Sequence, residues 1–484
     1  MTITRQPSES AVGVSIRHQA ARRWLPVAGP GVVMLILGLT APARPVLSWD
    51  EVATADVAHR SVGEIWRLAH HIDGVFGPYY LLMHLWTRIF GDSVLSLRLP
   101  SILAMAAAAA LTGELGRRLA GPRAGTIAGL LLCAIPTISR YAAEARPYAI
   151  ACLLSSVALL ALYRALDAPG PRRWAAYAAA LTGLGLFSLV ALSAVAGHLA
   201  LVLIRSRDRL TPWCAAAGAT LVPMSPLIWW GVHQRAEQLH WVTPITLTAV
   251  RTFPAGLTGS PQVAWLLWGL LALAVIRPSR GILELTVLGL VPPLVVAGAA
   301  VAGTSFWVPR YLLFVLIPVA VAAGAGLARY RLAGLVAVAV FAAVAVPGQV
   351  AVRGPTVKNG SDYRTLATTI RGQQQSGDDL VLGTDRTMRA GLSYYLRHDP
   401  GGPRDVLVQR SAAQTATLKA AEYPDPAARL ADAARIWLVV YGRSADPTGR
   451  RHDLRKLLHD RYRRAGLWTV KNATMALYVR TPSR

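Results

Sequence analysis

The chain has 484 residues, 54% of them hydrophobic and only 15% charged, which is too much apolar material for a single water-soluble core. Its formal charge of +25 is carried mainly by arginines in short clusters between apolar runs, a pattern that excludes a nucleic-acid face and fits membrane topology. Cys133, Cys152 and Cys214 all lie inside apolar segments without metal-ligand or disulfide spacing, so they read as small apolar residues.

The first 23 residues carry Arg5, Arg17, Arg22 and Arg23 and are expected in the cytoplasm, ahead of an uncharged stretch from Trp24 to Ala43. About 20 apolar residues suffice to span a bilayer, so this stretch reads as an uncleaved anchor. Further apolar segments run from Val94 to Leu115, Ala124 to Ile138, Pro147 to Leu166, Trp174 to Leu186, Leu189 to Ile204 and Thr211 to Val232. Pro261 to Ile276, Ile282 to Val301, Tyr311 to Leu327 and Leu332 to Val350 follow, giving about eleven spans.

Applied to the short loops, the positive-inside tendency places Arg117, Arg118 and Arg123 in the cytoplasm. Arg164, Arg172 and Arg173 follow on the same side, then Arg205, Arg207 and Arg209, Arg277 with Arg280, and Arg329 with Arg331. Keeping Arg172 and Arg205 on one side requires the stretch from Trp174 to Ile204 to be two short helices, a hairpin or a re-entrant pair. The predicted organisation is a transmembrane domain over residues 24–350, with an outer loop 48–93, and an extracytoplasmic α/β domain over 351–484.

The outer loop opens with Trp49, Asp50 and Glu51. It then carries an amphipathic helix over Glu64 to His71 and a second that Pro78 opens, through Met83 to Phe90. Trp66, Tyr79, Tyr80 and Trp86 suit a membrane interface. His59, His70, His71 and His84 form no metal-ligand spacing. A second outer cluster, "SRYAAEARPYAI", sets Arg140, Glu144 and Arg146 at the membrane edge, where an unpaired charge is expensive; a local ion pair of Glu144 with either arginine is its plain structural reading. A third, "SFWVPRYLLFVLIP", puts Arg310 and Tyr311 at the outer end of a span, against the positive-inside tendency, which suggests an anionic partner such as a lipid phosphate. A carboxylate can deprotonate a hydroxyl, and arginines can stabilise charge growing on a departing phosphate.

In the tail, the stretches beginning at Asp378, Arg435 and Ala473 read as strands; "DPAARLADAAR" from Asp425 and "DLRKLLHDRYRRAG" from Asp453 read as helices. "GTD" at Gly383 to Asp385 and "NAT" at Asn472 to Thr474 are too short to carry function.

The motifs "WDE" (Trp49 to Glu51), "GPYYLLMHLW" (Gly77 to Trp86), "FGDSVLSLRLPS" (Phe90 to Ser101), "EARPYA" (Glu144 to Ala149) and "PRYLLFVLIP" (Pro309 to Pro318) resemble, in order and spacing, the GT-C membrane glycosyltransferases. The similarity is to the polyprenyl-phosphate-sugar-dependent group of protein O-mannosyltransferases and bacterial lipid A aminoarabinose transferases. The sequence departs from a common form with two prolines before the paired tyrosines, since Gly77 and Pro78 precede Tyr79 and Tyr80 after an unusual "HHIDGVF" that contains Asp73.

The resemblance implies a polytopic α-helical GT-C-like fold, Asp50 as catalytic base beside Glu51, and Glu144 as the second outer-loop acid. It further implies Arg146, Tyr148, Arg310, Tyr311, Tyr79, Tyr80 and His71 as substrate-binding residues. The implied reaction inverts the sugar taken from a polyprenyl-phosphate donor, mannose first and arabinose or another sugar second. The acceptor is a protein, glycolipid or polysaccharide, in a bacterial plasma membrane. No metal is required by this chemistry, although some enzymes of the class bind a divalent ion. Two non-enzymatic readings fit the same features: a lipid or glycolipid transporter, which predicts paired broken helices in two related halves, and an envelope assembly protein, which gives Asp50 no special role.

Overall fold

A computed structural model describes residues 9–304, 306–384 and 387–482, with side chains in the first helix from Trp24 onward. Arg5, Asp385 and the side chains of Arg17, Arg22 and Arg23 lie outside the described residues. The chain divides into two compact units: residues 1–41 with 98–352, and residues 42–97 with 353–484.

The first unit is helical. Among the described residues, five helices are long and apolar enough to cross a membrane, or up to eight when each sharply bent pair is one span. Each predicted apolar segment coincides with a helix or a bent pair, including Val94–Ala120, Tyr148–Asp167, Arg280–Val301 and Arg331–Ala351. The stretch from Trp174 to Ile204 breaks in two, as the charge pattern required: helix Pro171–Phe187 ends at Ser188, whose backbone is extended, and helix Ala194–Arg205 follows a short 3-10 turn.

Sharp bends shape this unit. Pro136 lacks the N–H that would continue helix Pro122–Ala134, and the chain bends by 72° into helix Pro136–Ala142. A second bend, of 90°, joins Leu247–Thr258 to Pro261–Ile276 at Gly259, which has a positive φ of 83°. Helix Pro122–Ala134 is central, packed by Glu9–Leu39, Leu316–Leu327 and Arg331–Ala351. Small residues permit that approach: a Cβ at Gly324 would stand 2.8 Å from the backbone nitrogen of Ala128.

The second unit joins residues 42–97 to the tail. Helices Trp49–Ala58, Val62–His71 and Gly77–Phe90 pack on one another, and Trp49–Ala58 also packs on Met388–Leu396 from the tail. Ser48 and Glu51 form a capping box at the start of the first helix, and Ser61 and Glu64 form another at the start of the second.

The tail itself is an α/β domain with a five-stranded sheet. Its strands are β1 (Asp379–Leu382), β2 (Arg404–Asp405), β3 (Arg435–Tyr441), β4 (Tyr462–Val470) and β5 (Ala473–Arg480), in the order β2-β1-β3-β5-β4. The pairings of β1 are parallel, and those of β5 with β3 and β4 are antiparallel. Val381, Leu438, Val440, Leu454, Leu458 and Ala476 build its core.

Two helical expectations are corrected here. Only Pro426–Arg429 of the stretch from Asp425 is helical: beyond it the chain tightens into an i→i+3 turn, with the Ala433 N–H donating to the Leu430 carbonyl at 3.1 Å, and the buried Tyr462 hydroxyl lies 2.8 Å from the carbonyl oxygens of both Leu430 and Ala433. The stretch from Asp453 is helical only to Arg461; from Tyr462 onward it is strand, closed onto β5 by the two-residue turn Lys471–Asn472. Asn472 takes φ 55°, a left-handed conformation that asparagine tolerates better than most residues. This gives the "NAT" asparagine a structural task.

Candidate active site

The predicted site residues fall into two groups, one in each unit. In the loop-and-tail unit, Asp50 and Glu51 occupy successive positions in the first turn of helix Trp49–Ala58 and have opposite environments. Glu51 is fully buried: one carboxylate oxygen accepts from the Ser48 backbone N–H at 2.9 Å, and the other accepts from Lys358 Nζ at 3.0 Å. Asp50 is partly exposed. Its backbone carbonyl accepts from the Thr54 hydroxyl at 3.0 Å, but among the described residues its carboxylate makes no hydrogen bond or ion pair. A carboxylate so placed can accept a proton from an incoming hydroxyl.

Tyr79 and Tyr80 are buried in helix Gly77–Phe90, and the Tyr80 hydroxyl donates to Asp73 Oδ2 at 2.9 Å. Asp73 has φ 60°, a left-handed conformation uncommon outside glycine, so this bond stabilises the departure "HHIDGVF" from within. His71 is exposed at the end of its helix, and its Nδ1 lies 2.9 Å from the Arg67 carbonyl.

In the helical unit, the turn after Pro136–Ala142 buries Glu144 and Arg146. Arg140 Nε stands 3.9 Å from Glu144 Oε2, the expected local ion pair, and the Arg146 carbonyl accepts from the Ser101 hydroxyl at 3.2 Å. Tyr148 begins the following helix and connects this turn to the third cluster. Arg310 Nε donates to the Tyr148 hydroxyl at 3.0 Å, and the Tyr148 ring lies 5.2 Å from that of Tyr141 and 6.2 Å from that of Tyr311. The Arg310 guanidinium also lies 4.8 Å from the ring centroid of Trp241 and 5.4 Å from that of Tyr311. Glu144, Arg146, Tyr148, Arg310 and Tyr311 are thus drawn into one neighbourhood from two distant stretches of sequence.

Sequence reasoning missed two contributors. Trp241 lies in a polar connection with no periodicity to mark it. Helix Leu247–Thr258 does carry a local signal: Thr246 caps it, accepting from the Ala249 N–H at 3.1 Å, and Leu247, Val250, Phe253 and Leu257 recur at helical spacing. Phe253 stacks on Trp307 at 4.1 Å, which fixes this helix to the strand-like approach to Arg310. Among the described residues, no group of three or more His, Cys, Asp or Glu side chains is placed to hold a metal ion.

Residues 78–230 match the model of a family described as dolichyl-phosphate-mannose-protein mannosyltransferase. In structure, the chain is similar to ArnT from Cupriavidus metallidurans in the apo state, with a TM-score of 0.63 and 15% identity over 98% of this chain and 100% of that one. It is also similar to ArnT from the same organism bound to undecaprenyl phosphate, with a TM-score of 0.62 and 15% identity over 95% and 99% of the two chains. No curated protein sequence matches. The family model covers about a third of the chain, and the likeness to ArnT, which runs through nearly the whole of it, is one of fold.

Proposed function

Starting from the GT-C fold that this chain shares with ArnT over nearly its whole length, we propose that it is an integral membrane glycosyltransferase with Asp50 as its general base. Asp50 accepts the proton of an acceptor hydroxyl, the freed oxygen attacks the anomeric carbon of the donor sugar, and the bond to polyprenyl phosphate breaks as that phosphate departs. Attack from the face opposite the leaving group inverts the anomeric centre.

The observation that carries this reading is the contrast at the start of helix Trp49–Ala58: Glu51 is bonded to Lys358 and Ser48, whereas the Asp50 carboxylate makes no hydrogen bond or ion pair among the described residues. Arg310 supplies a planar cation among aromatic rings, suited to stabilise the phosphate as charge develops on it, and Arg146 supplies a second. Glu144 lies beside a third cation of this cluster, 3.9 Å from Arg140 Nε. Undecaprenyl phosphate bound to ArnT supports a polyprenyl-phosphate carrier for the donor here.

Mannose is the first donor sugar to test, on the description of the matching family. The likeness to ArnT, of the aminoarabinose transferase group, supports a pentose as the second reading. The acceptor belongs to the outer side of a bacterial plasma membrane, with the N-terminus in the cytoplasm. The test is transfer by the purified full-length protein in lipid vesicles, from a panel of labelled polyprenyl-phosphate sugars, with cell-envelope extract as acceptor. Incorporation from mannose alone supports the first reading, and incorporation from a pentose alone replaces it with the second. Incorporation from no donor, with envelope acceptor present, counts against the enzyme.

A further inference from the structure

Neighbouring residues on an α-helix point about 100° apart, so whatever orients one side chain of the first turn orients the next. In helix Trp49–Ala58 the residue that is oriented is Glu51, and the residue that orients it comes from 307 positions away: Lys358 Nζ lies 3.0 Å from Glu51 Oε1, with the side chains 1% and 0% exposed. A charge removed from water this completely is tolerated only with its partner in place, which makes the pair an all-or-none contact.

Lys358 is itself held from several directions. Its carbonyl accepts from Lys471 Nζ at 2.9 Å, and the same ammonium also donates to the Thr356 carbonyl, so the hairpin turn of the sheet grips the segment that carries Lys358. That segment runs beside the approach to the helix. The Val46 N–H donates to the Pro355 carbonyl and the Trp49 N–H to the Asn359 carbonyl, both at 2.9 Å. Gly360 follows at φ 149°, where a Cβ would stand 3.1 Å from the Leu47 carbonyl. Its own carbonyl accepts from Asn472 Nδ2 at 3.1 Å. The far end of the helix is held as well: His59 Nε2 and Arg397 Nε lie 3.1 Å and 2.8 Å from Asp92 Oδ2.

We propose that Lys358 is a positioning residue for Asp50: through its buried ion pair with Glu51, the C-terminal domain sets the direction in which the Asp50 carboxylate is presented. This rests on the reading of Asp50 as general base. It assigns the tail a task in the reaction, and it makes Glu51 a support for the base instead of a second base. Lys358 is a cation, and cations bind phosphate, so direct binding of the donor is the rival role; against it, the Lys358 ammonium is bonded to Glu51 and shielded from solvent. The two roles separate in kinetics, because misdirecting a base lowers turnover whereas losing a phosphate ligand weakens donor binding.

The experiment compares wild type, K358M, E51Q and E51Q/K358M, full-length and in lipid vesicles, by amide hydrogen exchange and by transfer from the donor the wild type uses. In K358M, residues 48–58 exchange at least tenfold faster while β3 and β5 exchange as in wild type; kcat falls ten- to a hundredfold with KM for the donor within twofold. The double variant, which strands no charge, exchanges more slowly over 48–58 than K358M does. A raised KM with unchanged kcat would make Lys358 a donor ligand and overturn the proposal. Wild-type exchange over 48–58 would do the same, as would acceleration spread equally over β3 and β5. Asp50→Asn is the control: full transfer by that variant ends the reading of Asp50 as base, while the exchange result still decides whether Lys358 holds the helix.

Discussion

Arg310 donates to the Tyr148 hydroxyl at 3.0 Å, and this bond joins the cluster around Glu144 to the one around Arg310, 162 residues further along the chain. The guanidinium is packed by the rings of Trp241 and Tyr311 as well, an arrangement that a flexible ammonium cannot reproduce. Arg310→Ala is therefore expected to lower kcat/KM about a hundredfold or more, in the range seen when one stabiliser of transition-state charge is lost. Arg310→Lys recovers part of this by keeping the charge. Initial rates over a donor titration check both, and wild-type kinetics for Arg310→Ala would remove Arg310 from the site.

Trp241 contributes through its ring alone, so its effect is smaller. A cation held over an aromatic face gains about 0.5–2 kcal/mol, and Trp241→Leu is expected to weaken donor use several-fold without altering thermal stability. The same donor titration, beside a melting curve in detergent, measures it.

Gly360 combines a positive φ with a close approach to the backbone of residues 47–49, whose nearest atoms stand 3.1–3.5 Å from where a Cβ would be. Gly360→Ala is expected to cost about 1–3 kcal/mol, the range for a residue forced into a sparsely populated backbone region. It lowers the melting temperature and frees the loop 42–97 to proteolysis before the sheet. Unchanged melting and digestion would show that the segment beside Trp49 yields without strain.

The tether at Asp92 has a defined pH window. Burial pushes the Asp92 carboxyl up, but the hydrogen bond and charge of Arg397, with His59, outweigh it and hold the group below its usual range. A depressed folded pKa stabilises above the unfolded value of about 3.9 and is lost as pH falls through the folded one. Hydrogen exchange of residues 59–97, corrected for intrinsic rates, should be flat from pH 7 to about 5 and rise only in stronger acid. In Arg397→Met the protection is reduced throughout. Loss of protection already between pH 7 and 6 would contradict this sign.

What the sequence displays best is what depends on local patterning. Every long apolar run is helical, the break near Ser188 follows from arginines on both sides of one stretch, and the strands at Asp379, Arg435 and Ala473 follow from continuous apolar runs. Asp50, Glu51, Glu144 and Arg310 could be singled out because charge at a membrane edge needs a reason. Their division of labour could not, since it hangs on contacts between distant stretches: nothing local to Lys358 announces Glu51, and nothing local to Trp241 announces Arg310. The union of loop 42–97 with the tail has the same long-range origin. The strand Tyr462–Val470 was concealed differently, because its basic run continues a helical pattern and only pairing with Ala473–Arg480 overrides it.

The central claim is that Asp50 is the base, and the most direct measurement is sugar transfer by Asp50→Asn beside wild type, from the labelled polyprenyl-phosphate sugar that wild type accepts, in vesicles with equal folded protein. Asparagine keeps the size of the side chain and cannot take the proton. The account predicts a loss of turnover of about a hundredfold to ten-thousandfold with donor binding retained. Transfer by Asp50→Asn at the wild-type rate would contradict it.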